Sequence, residues 1–64
     1  MDNNAEEQRI REFADIGNYH AAINLSLSAM NENRRNAYQP GVDHFIALIK
    51  AIVEKIESEF GSAG

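Results

Sequence analysis

The sequence contains no cysteine, and this absence removes two common ways of stabilising a small protein. Disulfide bonds and thiolate zinc sites are both excluded. The 64 residues form one small domain, and a chain of this size buries only about 60% of its unfolded surface. Since domains below roughly 70 to 80 residues usually need a further stabiliser, self-association is the route that remains.

Long apolar runs are also missing. The longest nearly apolar stretch, FIALIKAIV, has nine residues and is interrupted by Lys50, whereas a membrane-spanning helix needs about 20. The first residues, MDNNAEEQRIREF, are acidic and polar, unlike the basic and then apolar start of a signal peptide. The lack of cysteine fits a reducing compartment. We therefore expect a soluble, cytoplasmic protein.

Basic charge is in short supply. Ten acidic residues against six basic ones give a net charge of −4, which repels nucleic acid and anionic lipid at long range. No glycine-rich phosphate loop occurs, and no serine has a base fixed beside it by sequence. His20 and His44 have no further histidine or cysteine with which to form a metal site. We expect no enzyme activity, no cofactor and no metal.

Glycine and proline are confined to Gly17, Pro40–Gly41 and the tail GSAG, and no strand pattern is present. The clearest periodic segment follows Pro40. Its apolar residues recur at helical spacing, at Val42, Phe45, Ile46, Ile49, Ile52, Val53, Ile56 and Phe60. This pattern predicts a helix over 41–60, and we expect residues 61–64 to form a flexible tail. The apolar stripe is broader than a two-stranded coiled-coil seam and is typical of a bundle.

The first half, over about 5–35, carries a second apolar stripe. It follows a spacing of three and four residues through Ile10, Phe13, Ile16, His20, Ile23, Leu27 and Met30. The stripe keeps its phase through Gly17, which favours one continuous helix. However, glycine inside a helix costs about 1 kcal/mol relative to alanine, and Asn18 is a good N-cap residue. One kinked helix and two helices both remain open, and we favour a bend or split near Gly17.

The stretch GNYHAAINLSLSAM resembles the second helix of a tetratricopeptide repeat. The matching positions are Gly17, Tyr19, Ala22, Ile23 and Ala29, with Phe13 in the place of the aromatic residue of the first helix. In that family the glycine ends one helix and the following residues open the next, so the resemblance implies a break at Gly17. Ile10 and Arg34 depart from the pattern. The resemblance covers about half of one repeat of roughly 34 residues, and a single repeat cannot bury its own faces.

The polar linker NENRRNAYQP ends the first arm and predicts an antiparallel hairpin. The two stripes exceed what two helices can bury, so we predict an all-α protein: a hairpin whose first arm is bent or split near Gly17 and whose core is completed as a dimeric four-helix-type bundle. The predicted core and dimer interface consists of Phe13, Ile16, His20, Ile23, Leu27, Met30, Phe45, Ile49, Ile52, Ile56 and Phe60. His20 is either a pH-sensitive or register-setting polar residue at a symmetric interface, or a half-exposed histidine whose nitrogens reach water or a carboxylate.

For function, we expect a non-catalytic protein–protein interaction module: a small acidic regulator, adaptor or chaperone-like subunit of bacterial or phage type. The acidic surface and the segment before Gly17 would contact the partner. One alternative is RNA or DNA binding through Arg34, Arg35 and Tyr38, where arginine pairs with phosphate and tyrosine stacks on a base. Another is a structural subunit of a larger assembly.

Overall fold

The computed structural model describes residues 3–61, and all the regular secondary structure within this range is helical. It contains α1 (Asn3–Asp15), α2 (Tyr19–Arg35) and α3 (Gln39–Ile56), followed by one π-helical turn (Glu57–Gly61). The prediction of an all-α protein is confirmed. The expected flexible tail falls largely on residues 62–64, which lie outside the described residues, while Gly61 ends the π-helical turn.

The two connections between the helices have the same length and the same hydrogen bonds. In the first, the N–H of Gly17 donates to the carbonyl of Ala14 (3.0 Å) and the N–H of Asn18 donates to that of Phe13 (2.9 Å). This pair of bonds is the Schellman motif, which needs a left-handed residue after the helix. Gly17 has a φ of 81°, and Ala37 fills the same place in the second connection with a φ of 56°.

The connection between α2 and α3 is much shorter than the polar linker over 31–40. The residues between the helices are Asn36, Ala37 and Tyr38, and α3 begins at Gln39 rather than at 41. Pro40 lies in the first turn of α3, where its missing N–H leaves no helical bond unmade. The asparagines at 31 and 33 belong to the last turns of α2. These polar residues therefore continue the helix and do not mark a loop.

The helices pack with α2 against both of the others. The side chain of Asn3, at the start of α1, is hydrogen bonded to Asn33, near the end of α2. Tyr19, at the start of α2, is hydrogen bonded to Glu59, just beyond the end of α3. Both neighbours therefore run antiparallel to α2, and α1 and α3 run parallel to each other.

The core lies where the three helices meet. Ile10 of α1 and Phe45 of α3 are fully buried, and they approach α2 along a stripe of small residues. The buried apolar cluster consists of Ile10, Ala14, Ala22, Ala29, Phe45, Leu48 and Ile52. Ser26 is also fully buried, and its hydroxyl donates to the carbonyl of Ala22 (2.7 Å). Small side chains along α2 let both neighbouring helices come close.

The segment before Gly17 folds back on the chain itself. Ile10 and Ala14 of α1 are buried against α2 and α3, so α1 covers one side of the α2–α3 pair. The molecule is an elongated slab of 41 × 19 × 14 Å. Its radius of gyration of 12.2 Å exceeds the value of about 11 Å expected for a compact chain of this length. The other side of the α2–α3 pair is not covered by any described part of the chain.

Candidate protein-interaction surface

The uncovered side of the α2–α3 pair carries a continuous apolar surface, which we name the open face. It comprises Ile23, Leu27 and Met30 of α2, Ile46, Ile49, Val53 and Ile56 of α3, and Phe60 of the π-helical turn. Leu27 and Val53 are each 40% exposed, Ile46 is 43% exposed and Phe60 is 71% exposed. The other four are half-buried. Apolar residues that are exposed as one contiguous patch, and not scattered singly, mark interaction sites.

The open face has the sequence spacing of a helix-packing seam. On α3 its members are separated by three, four and three residues, and Phe60 follows Ile56 by four in the π-helical turn. Alternation of three and four is the repeat that keeps one stripe facing a neighbouring helix. The core residues of α3, including Phe45 and Leu48, lie on a different side of the same helix. The helix therefore has two apolar sides, of which α1 and α2 bury one and leave the second in solvent.

The predicted core and interface residues divide into three groups. Phe45 and Ile52 are buried in the core of the single chain. Phe13, Ile23, Met30, Ile49 and Ile56 are half-buried. Ile16, His20, Leu27 and Phe60 are exposed, and Ile16 is 76% exposed in the first connection. The structure thus brings six of the predicted residues together on the open face: Ile23, Leu27, Met30, Ile49, Ile56 and Phe60. His20 borders it, three residues before Ile23.

Arg34, Arg35 and Tyr38 lie at the end of the molecule where α2 turns into α3. All three are exposed, Tyr38 by 52%. The guanidinium of Arg35 is paired with the carboxylate of Glu32 one turn earlier on α2. Both arginines also stand in the last turn of α2, where positive charge complements the helix dipole. One of the two arginines is therefore already neutralised within the chain.

The two histidines lie on different helices and have different surroundings. His20 is exposed on α2, whereas His44 lies on the α1 side of α3, where its Nε2 is 2.8 Å from Oε1 of Glu7. The other oxygen of Glu7 accepts from Arg11 (2.6 Å). These contacts, first with Arg11 and then with His44, hold the pKa of Glu7 below its ordinary value. Over residues 3–61 no three acidic, histidine or cysteine side chains are grouped to hold a metal ion.

A groove between α1 and α3 has a volume of about 220 Å³. It is lined by Ile10, Arg11, Ala14, Asp15, Leu48, Ala51, Ile52 and Lys55. Its floor is apolar, and its rim carries both signs of charge, with Nζ of Lys55 3.9 Å from Asp15. None of the lining residues is a serine, threonine, cysteine or histidine.

Sequence reasoning missed three buried residues that position these surfaces. Ser26 is not part of either predicted apolar stripe, yet it is fully buried. Asn33 belongs to the polar segment that predicts a linker, yet it is 2% exposed, and its Nδ2 donates to the Ala29 carbonyl (2.7 Å). Leu48 went unnoticed beside the longer stripe. The four-residue step from Ala22 to Ser26 and from Ala29 to Asn33 is the signal that both lie on one helix side.

Comparison of the chain with protein families, with curated proteins and with solved structures finds no match. No helix in the described part of the chain is both long and apolar enough to cross a membrane.

Proposed function

We propose that this chain is a non-catalytic protein–protein interaction module that binds another helical surface through the open face. The observation that carries the proposal is the exposed seam of α3, which is continuous with Leu27 and its neighbours on α2. Exposure of such a seam to solvent is unfavourable, because the free energy falls when apolar surface is removed from water. A partner that covered the open face would release that free energy.

The small size of the chain adds to this argument. The α2–α3 pair, which forms the open face, is covered by α1 on its opposite side only. A second helical layer on the open face would give Ile49 and Ile56 neighbours on both sides and would complete the bundle. The dimeric four-helix-type bundle expected from the sequence belongs to this proposal, with two α2–α3 pairs facing each other and both copies of α1 outside. An interaction of this kind would also stabilise the chain by mass action.

No specific observation favours the nucleic-acid alternative. Binding through Arg34, Arg35 and Tyr38 would require Arg35 to leave Glu32, and the net charge of −4 opposes the approach of a polyanion. A structural role in a larger assembly would use the same open face, and it differs from a regulatory role only in what the partner does.

The proposal is tested by photo-crosslinking from the open face in cells that produce the protein. A photo-reactive phenylalanine analogue replaces Val53 in one version of the chain and Ala47 in the other. Both positions are exposed on α3, but Ala47 lies off the seam. We expect position 53 to form a defined covalent adduct with a protein, which is either a second copy or a different chain, and position 47 to form none.

Equal or absent adducts at the two positions would contradict the proposal. Ile52→Asp is a poor substitute for this test, because Ile52 is 4% exposed within the single chain. Its replacement would unfold the domain whether or not a partner exists. The neighbouring Val53, at 40% exposure, separates binding from folding.

A further inference from the structure

We infer that the occupant of the open face is a second copy of this chain, packed around a two-fold axis at Val53 so that α3 meets α3 and α2 meets α2, each antiparallel to its copy. This inference rests on the proposed function and adds the partner and the register. It is carried by three features of the open face: the shared centre of its two seams, the charges at its edge, and the position of α2.

The seam on α3 is centred on Val53. Ile49 and Ile56 stand four residues before and three residues after it, and Ile46 and Phe60 stand seven before and seven after. Such a seam can be turned end for end and still present apolar residues at the same levels. An antiparallel pair of identical helices requires this property, because each helix faces the reversed copy of itself.

The seam on α2 has its own centre at the same level. His20 and Met30 are placed symmetrically about position 25, as are Ile23 and Leu27. Tyr19 is bonded to Glu59 across the antiparallel α2–α3 pair. Six residues onward from Tyr19 is position 25, and six residues back from Glu59 is Val53. A single two-fold axis at this level therefore serves both helices.

The charges beside the α3 seam complement each other in this arrangement. Lys50 and Glu57 are exposed, lie on the same edge of the seam and are seven residues apart, a separation of about 10.5 Å along the helix. Their midpoint lies beside Val53. Reversal about that point places Lys50 of one chain opposite Glu57 of the second copy, and the symmetry makes the contact twice. Opposite charges at such edge positions select the partner and its direction.

A parallel pairing of the two α3 helices is obstructed by α2. In a parallel pair, the edge residues on one side of a seam meet the opposite edge of the second helix. The opposite edge of this seam is formed by Phe45 and Ile52, which are buried within the chain. In the antiparallel pair the buried edges meet each other instead, so the two α2 helices lie side by side. The result is a four-helix arrangement.

The test uses charge exchange in the purified full chain at low salt, with the dissociation constant of the dimer measured by sedimentation equilibrium. Lys50→Glu alone makes both contacts Glu against Glu, and Glu57→Lys alone makes both Lys against Lys. We expect each variant to weaken the dimer by about tenfold, since each loses two opposite-charge contacts and gains two like-charge ones. The double variant Lys50→Glu/Glu57→Lys should recover the wild-type dissociation constant.

An equimolar mixture of the two single variants gives the sharpest result. A mixed pair of K50E and E57K restores opposite charges at both contacts, so the mixture should dimerise more tightly than either variant alone. The matched controls are Glu12→Lys and Arg9→Glu, which change the net charge by the same amounts at exposed positions on α1, away from this edge. They should not rescue each other. High salt should remove the differences between the variants.

A dimer that is insensitive to the exchanges, or a mixture no tighter than its components, would overturn the antiparallel register. A folded wild-type chain that stays monomeric at all concentrations would overturn self-pairing altogether. Because both positions are exposed, we expect each variant to fold, and circular dichroism checks this. These failures leave the proposed function intact if Val53 still crosslinks to a different protein, whereas the absence of any such adduct removes the proposed function as well.

Discussion

The backbone of Gly41 lies directly against the side chain of Asn33, so that a Cβ at Gly41 would be 2.1 Å from the Asn33 Oδ1 atom. Asn33 cannot swing aside easily. Its Nδ2 donates to the Ala29 carbonyl (2.7 Å), and its Oδ1 accepts from Nδ2 of Asn3 (3.1 Å). The first turn of α3 therefore packs on a fixed polar side chain of α2. This contact places the start of α3, and with it the direction of the open face.

Gly41→Ala should destabilise the fold strongly, although it adds only one methyl group. The added Cβ overlaps Asn33 and forces either a rotamer change that breaks its hydrogen bonds or a shift of α3. Overpacking of this kind costs about 1–3 kcal/mol, and we expect the upper part of that range. The measurement is the free energy of unfolding from urea denaturation.

A double-mutant cycle with Asn33→Ala identifies the cause. With the asparagine side chain removed, the Cβ at position 41 has its principal obstacle removed, so Gly41→Ala should cost much less in that background than in the wild type. The coupling between the two substitutions should be at least about 1 kcal/mol. Additive costs would show that the substitution acts through the conformation of the α3 first turn and not through Asn33.

The two Schellman connections offer a matched pair of backbone tests. Gly17 and Ala37 occupy the same left-handed position after α1 and after α2, with φ values of 81° and 56°. Gly17→Ala should cost about 1–2 kcal/mol, because an L-residue is strained in this region. Ala37→Gly should stabilise the fold by up to about 1 kcal/mol for the same reason. Thermal unfolding should show a lower Tm for Gly17→Ala and a higher Tm for Ala37→Gly than for the wild type.

Steric crowding is not the cause at Gly17, since a Cβ there has nothing within 4 Å. Gly17→Asn should therefore recover part of the loss caused by Gly17→Ala, as asparagine tolerates the left-handed region better than alanine does. Equal losses for alanine and asparagine would argue against the conformational explanation.

The sequence predicted the helical class and the strongest helix because periodicity reports directly on which side of a helix is apolar. It could not divide the stripe of α3 between the buried core and the open face, since Phe45 and Ile46 are both apolar and differ only in which neighbour lies beside them. Ile52 and Val53 form a second such pair. That division depends on where α1 packs, which no local pattern of α3 records.

The connection after α2 was harder to predict for a different reason. The asparagines in NENRRN indicate a loop by composition, yet Asn33 lies inside α2 and is buried as a hydrogen-bonding residue. Asparagine is favoured in turns because its side chain bonds to nearby backbone. Here it bonds to the backbone of its own helix and to Asn3, and that second partner is 30 residues away in sequence.

Glu7 gives a prediction for acid conditions. The contacts with Arg11 and His44 lower the pKa of Glu7 from its ordinary value of 4.5. Because the folded pKa lies below the unfolded one, the stabilisation is fully present above about pH 4.5 and is lost as the pH falls through the folded pKa. Glu7→Gln should lower the free energy of unfolding by about 0.5–1 kcal/mol at neutral pH, in the range of partly exposed ion pairs.

The control for this prediction is Glu12→Gln, which removes the same charge from an exposed position on α1. The difference between the two variants should shrink as the pH is lowered below 4.5 and should disappear once Glu7 is protonated in the wild type. A difference that stays constant from neutral to acid pH would mean that Glu7 acts by packing and not by its charge.

Tyr19 and Glu59 tie the start of α2 to the π-helical turn beyond α3. The phenol hydroxyl of Tyr19 donates to the carboxylate of Glu59, with 2.6 Å to Oε1. The hydrogen bond to Glu59, aided by burial and by the negative charge of that carboxylate, raises the pKa of Tyr19 to about 12 from its ordinary value of 10.0. The contact therefore stabilises the fold below pH 10 and is lost as the pH rises through the folded pKa.

This prediction is measured by the absorbance of tyrosinate during an alkaline titration of the Tyr38→Phe variant, in which Tyr19 is the remaining tyrosine. The midpoint should lie near 12. Adding Glu59→Gln should return the midpoint towards the ordinary value, because a neutral amide accepts a weaker hydrogen bond from the phenol than a carboxylate does and carries no charge that repels the phenolate. Glu57→Gln removes a carboxylate from the same turn without touching Tyr19, and it should leave the midpoint unchanged. A midpoint at the ordinary value with Glu59 intact would show that the Tyr19–Glu59 hydrogen bond does not form. In that case this contact would not hold Phe60 at the end of the open face.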